Sequence, residues 1–103
     1  MNIEIKRSKK AGKKFDAIID AGGASGGKKT VSFGATGYSD YTQHKDAERK
    51  QRYINRHKKA ENWNDPKTPG FYAKHILWNQ PSLRASIADT NKRFKNLSIK
   101  LVS

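Results

Sequence analysis

The sequence predicts an α+β domain: a small antiparallel sheet of three to four strands packed by about three helices. Three observations carry this. Apolar and polar residues alternate through the first third, at Ile3 and Ile5, at Phe15, Ala17 and Ile19, and at Val31 and Phe33. That is the period of half-buried strands. Beyond residue 40 the apolar spacing changes to steps of three and four, the period of helices lying on a core. Near the end, Leu97, Ile99 and Leu101 alternate again, as in a last strand returning to the sheet.

The elements follow in order. Ser8 to Lys14 is a basic loop containing Gly12, and residues 21–27 (AGGASGG) are a flexible loop. Connections this short favour an antiparallel meander. Gly34 to Asp40 is a connector. Thr42 is placed to N-cap a helix over about residues 43–60. Asp46 and Glu48 suit the start of its dipole, and Lys58 and Lys59 suit its end. Asp46–Lys50 and Glu48–Arg52 have the spacing of helical ion pairs. Ala47 and Ile54 are expected to face the core.

Residues 65–70 (DPKTPG) form a turn, in which Thr68 and Pro69 suit the N-cap and first position of a short helix, Phe71 to Trp78. That helix is apolar around most of its circumference, so burial is expected. Asn79-Gln80-Pro81 ends it. A last helix, about Ser82 to Lys95, carries the stripe Leu83, Ile87, Thr90, Phe94. The whole reads as one domain over 1–103: strand-rich over 1–34, mainly helical over 35–96, with a possible last strand over 97–102.

Composition limits function. A chain of 103 residues fits one domain with a modest core and little room for a deep active site. Its 22 Lys and Arg stand against nine Asp and Glu, a formal charge of +13. Solubility alone calls for a magnitude of about 2–8. The excess points to a polyanion or an acidic protein surface as partner. There are no cysteines, hence no disulfides and no thiolate metal sites. No apolar run is long enough to span a membrane, and the first residues lack the apolar core of a secretory signal.

The charge is patterned. On a helical wheel Lys45, Arg49, Arg52, Arg56 and Lys59 fall within about 80°. They form a basic ridge about 20 Å long, able to follow a phosphate backbone. Asn55 is its one obvious reader of base edges, so contacts there would be mainly to phosphates. The alternative is a solvated charged face. A second cluster, Lys6, Arg7, Lys9, Lys10, Lys13 and Lys14, could grip phosphates, act as a nuclear localisation signal, or keep an edge strand soluble. Tyr38, Tyr41 and Trp63 are candidate interface aromatics, with Trp78 assigned to the core.

Catalytic signals are weak. Gly22 to Lys28 has the G-x-x-x-x-G-K spacing of a P-loop, but Lys29 stands where Ser or Thr should hold magnesium. The following residues read as a strand rather than the required helix. His57 with Asn62 and Asp65 has no specific metal-ligand spacing, so a metal-dependent nuclease ranks last. No catalytic residue, cofactor or metal is assigned.

Three stretches resemble a small basic uncharacterised domain family encoded by large double-stranded DNA viruses: residues 33–46 (FGATGYSDYTQHKD), 52–63 (RYINRHKKAENW) and 70–79 (GFYAKHILWN). The similarity spans about Val31 to Phe94, with the N-terminal strands less distinct. It implies a viral origin and hence a place in the particle, with host cytoplasm or nucleus before assembly. The leading expectation is a non-enzymatic minor capsid or virion protein whose basic faces meet acidic surfaces of other virion proteins. The alternative is a non-specific nucleic-acid-binding protein in packaging or replication.

Overall fold

A computed structural model describes residues 1–20, 28–59 and 62–102. The glycine-rich loop assigned to residues 21–27 lies outside the described residues. Strands β1 (Asn2–Arg7), β2 (Lys13–Asp20), β3 (Lys28–Ala35) and β4 (Ser98–Leu101) form one sheet in the order β3-β2-β1-β4. The predicted alternation sets the register. Ile3 pairs with Ile19, Ile5 with Ala17, Ala17 with Val31 and Phe15 with Phe33, so the apolar side chains share one face. A slip of one residue would turn all of them to solvent. The β1–β2 turn has Gly12 at φ 83, a left-handed conformation that glycine takes without strain.

The sheet is mixed, not antiparallel throughout. β1, β2 and β3 form the predicted meander, but β4 runs parallel to β1, with Ile3 opposite Ile99 and Ile5 opposite Leu101. The reason is topological. β3 runs in the same direction as β1, and the helical segment carries the chain across β2 and β1 before it re-enters. Such a crossover gives a parallel pair. Ser98 and Val102 donate their N–H groups to the carbonyls of Met1 and Ile5. The backbone of Ile99 therefore points outward, where the Asn91 amide accepts from its N–H at 2.8 Å and donates to its carbonyl at 2.9 Å. That pair satisfies backbone groups on an otherwise open edge.

The helical part differs from the single helix expected over 43–60. Asp40, not Thr42, caps a one-turn helix α1 (Tyr41–His44), in a reciprocal capping box with Gln43. Lys45 then takes φ 58, a left-handed helix end usually given to glycine. Asp46 caps a second helix, α2 (Ala47–His57), accepting from the N–H groups of Glu48 and Arg49. Asp46 is thus a cap rather than the partner of Lys50. Lys50 reaches the Asn79 carbonyl at 2.6 Å and lies over the Tyr41 ring. The Glu48–Arg52 pair does not form either. Ala47 is exposed and Ile54 half-buried, while the buried residue of α2 is Tyr53.

Thr68 and Pro69 start the next helix as predicted, α3 (Pro69–Tyr72), which continues as a π-helical turn, Ala73–Leu77. Ser82 caps α4 (Leu83–Arg93). Phe71, Tyr72, Ile76 and Leu77 are buried on the sheet with Phe33, Ile3 and Ile5, and Ile87 of α4 closes the core. Each large apolar side chain buried this way contributes about 1.5–3 kcal/mol.

Candidate functional site: an arginine–aromatic groove

The site is assembled by stacking. Tyr53 projects from α2 and lies parallel to the Trp78 indole, with centroids 4.5 Å apart and an interplanar angle of 2°. His57, one turn on, stacks on Tyr53 at 4.4 Å, and His44 of α1 packs against Trp78 at 5.3 Å. This ladder of rings fixes α2 against the end of the π-helical turn. Offset aromatic pairs of this kind add roughly 0.5–1.5 kcal/mol beyond their buried area.

Fixing Tyr53 inward sets the rest of α2. Arg49, Arg52 and Arg56 are exposed and line a groove of about 680 Å³ with Tyr38, Ser39, Asn55 and Trp78. A second hollow of about 450 Å³ shares Tyr38, Ser39, Arg56 and Trp78, and continues past His57 to Gly34 and Gly70. The Asn55 side-chain oxygen Oδ1 accepts from Gln51 Nε2 at 3.1 Å. Among the described residues the ion pairs are Lys14–Asp40 and Arg93–Asp89, and neither involves an α2 arginine. An arginine without an acidic neighbour keeps its full charge for an external anion.

Of the five ridge residues expected from the wheel, three lie on α2 and line the groove. Lys45 sits at the left-handed break before α2, and Lys59 in the turn after it. Tyr38 belongs to the groove and is 76% exposed. Tyr41 does not belong, being half-buried under Lys50. Trp63 is also elsewhere: its carbonyl meets His75 Nε2 at 2.8 Å, and Lys74 lies over its ring. The tryptophan at the groove is Trp78, which is partly buried as assigned and at the same time forms the groove wall.

The hairpin cluster has a different fate. Lys9 and Lys10 are exposed and Lys13 half-buried. Lys14 donates to Asp40 Oδ2 at 2.7 Å and to Gln43 Oε1 at 2.9 Å, with its side chain only 15% exposed. Asp40, 3% exposed, also accepts from the Thr42 N–H and hydroxyl. Lys14 therefore ties the β1–β2 hairpin to α1, and its charge is spent inside the fold.

The residues considered for catalysis are engaged locally. Lys28 opens strand β3 where a P-loop needs a helix. Asn62 and Asp65 accept from the N–H groups of Asn64 and Lys67 within their own turn. Among the described residues no group of three or more His, Cys, Asp or Glu is placed to hold a metal ion. His75 is buried. Burial first, then repulsion from Lys74 and Arg93, holds its pKa below the usual 6.5 despite the hydrogen bond to Trp63.

A family model matches residues 3–57, slightly more than half of the chain and the whole span from β1 through α2. The chain belongs to DUF5754, a family of unknown function. The DUF5754 match takes in the N-terminal strands, where the sequence resemblance was less distinct, and stops at His57. It includes Tyr38, the Lys14–Asp40 pair and the three groove arginines, and it leaves out Trp78. No curated protein and no solved structure matches the chain. No helix among the described residues is long and apolar enough to cross a membrane.

Proposed function

We propose that this protein is a non-enzymatic binding component of a virus particle, and that its α2 groove holds the phosphate backbone of nucleic acid. One observation carries the reading. Arg49, Arg52 and Arg56 line a single groove with no acidic partner among the described residues, in a chain of net charge +13. Guanidinium groups bind phosphate through paired hydrogen bonds, and a row of them neutralises successive phosphates. With the arginines engaged on phosphates, only Asn55 and Ser39 of the groove remain to meet base edges, so binding is expected to be largely indifferent to sequence.

A second reading is favoured by Tyr38. An exposed tyrosine ringed by arginines also suits an anchor at a protein interface. In that case the protein is a minor capsid component bound to acidic surfaces of other virion proteins. Gentle disruption of particles into shell and genome fractions, at low and high salt, tests both. Recovery with the genome and release by salt supports the nucleic-acid reading. Retention on the shell at high salt favours the capsid reading. Absence from particles contradicts a virion role.

A further inference from the structure

Resting on the nucleic-acid reading of the same groove, we infer that the polyanion it takes is single-stranded, with an unpaired base stacked on Tyr38 and the backbone following Arg49, Arg52 and Arg56.

The argument begins with Tyr38 itself. It is the most exposed large apolar side chain among the described residues, at 76%, against 37% for Met1 and 38% for Val102. A lone exposed apolar residue needs no explanation on an open surface. Tyr38 instead stands in a concavity with three arginines. Its backbone is held on both sides. The Tyr38 N–H donates to the Ala35 carbonyl, closing a turn in which Gly37 has φ +88. The Thr36 N–H bonds to the Gly12 carbonyl of the hairpin. Two residues after Tyr38, the Asp40 carboxylate is locked by Lys14 and Thr42. The ring is therefore presented by a fixed turn.

Chemistry then selects the ligand. Arg49 to Arg56 spans about 10 Å along α2. That is room for about two or three successive phosphates of one strand, a length that a duplex strand meets equally, so the choice rests on the ring. In a duplex both faces of every base are occupied by neighbours, and Tyr38 would have no ring to receive. In a single strand each base has a π-face that an exposed aromatic can take, whatever its identity. One Trp78 face is covered by Tyr53, His44 packs against the same indole at 5.3 Å and the ring is partly buried, which leaves the far more exposed Tyr38 as the platform and Trp78 as the wall.

The test is fluorescence anisotropy with a labelled oligothymidylate of about a dozen nucleotides and a duplex of equal length. Wild type is compared with Tyr38→Ala, Tyr38→Phe and the double variant Arg52→Ala/Arg56→Ala. The single strand should bind more tightly than the duplex. Tyr38→Ala should weaken single-strand binding roughly 5- to 100-fold and leave the duplex within about twofold. Tyr38→Phe should keep the wild-type affinity. Because Tyr38 is exposed, its variants should melt with the wild type, which separates a binding loss from misfolding. Tighter duplex binding overturns the inference, as does Tyr38→Ala weakening both ligands equally or neither. Should that happen while the arginine variant still weakens both, the phosphate-binding reading survives without Tyr38. If the arginine variant binds like wild type, the reading of the groove falls as well.

Discussion

Two basic clusters precede and follow the connector that ends at Asp40, and one lysine of the first is held very differently from the arginines of the second. In the hairpin cluster, Lys14 is withdrawn from solvent and shared between Asp40 and Gln43. On α2, Arg49, Arg52 and Arg56 form no ion pair among the described residues, where Asp46 is used as a helix cap. The difference teaches that a lysine count does not locate a binding surface. What decides is whether the nearest carboxylate is already committed to the backbone or to another cation.

The largest test of this contrast breaks the locked side. Asp40→Ala removes a helix cap and leaves Lys14 partly buried without its counter-charge. Losing one member of a buried pair costs about 3–5 kcal/mol. A large drop in melting temperature by circular dichroism is expected. Groove affinity, measured well below that temperature, should fall far less than in the arginine variants, only as far as the Tyr38 turn loosens. The opposite pattern is expected for Arg52→Ala/Arg56→Ala. Exposed residues of this kind change stability by about 0.5 kcal/mol or less. Their loss should weaken oligonucleotide binding about tenfold or more at low salt, by anisotropy.

A pH scan separates fold from site in another way. His75 is held neutral by burial, with its folded pKa below the unfolded value of 6.5. The unfolded chain takes the proton first, so stability is lost as pH falls through and below 6.5. Denaturant melts at pH 7 and pH 5 should show that loss in wild type and a smaller one in His75→Gln. The smallest effect is expected at Lys45. Lys45→Gly relieves a left-handed residue at a cost in chain entropy, so stability should stay within about 1 kcal/mol. If Lys45 lies outside the groove, affinity should stay within about twofold, by the same anisotropy assay.

Much of the fold was legible because strand alternation is a local signal. Ile3, Ile5, Ala17, Ile19, Val31 and Phe33 sit on the core face where the pattern put them. The Thr68–Pro69 helix start was equally local. The direction of β4 was not legible, since four alternating residues read the same in a parallel or an antiparallel pair. The break at Lys45 was hidden for a related reason. A wheel drawn over 43–60 assumes one continuous helix, and lysine gives no warning that it will adopt a left-handed conformation. That assumption put Ala47 and Ile54 inward and placed Lys45 and Lys59 on the same helix as the arginines. Trp78 was hidden by a choice between core and surface, when it serves both. Its neighbour Tyr53 lies 25 residues away in sequence, and only the packed structure brings the two rings together.

The central claim is that the three α2 arginines each meet a phosphate. It is tested most directly by the salt dependence of single-strand binding for wild type and for Arg49→Ala/Arg52→Ala/Arg56→Ala. Each phosphate contact contributes about 0.7 to the slope of log affinity against log salt. The account predicts a slope shallower by about 2 in the triple variant. An unchanged slope would mean that the phosphates are held elsewhere, and would contradict it.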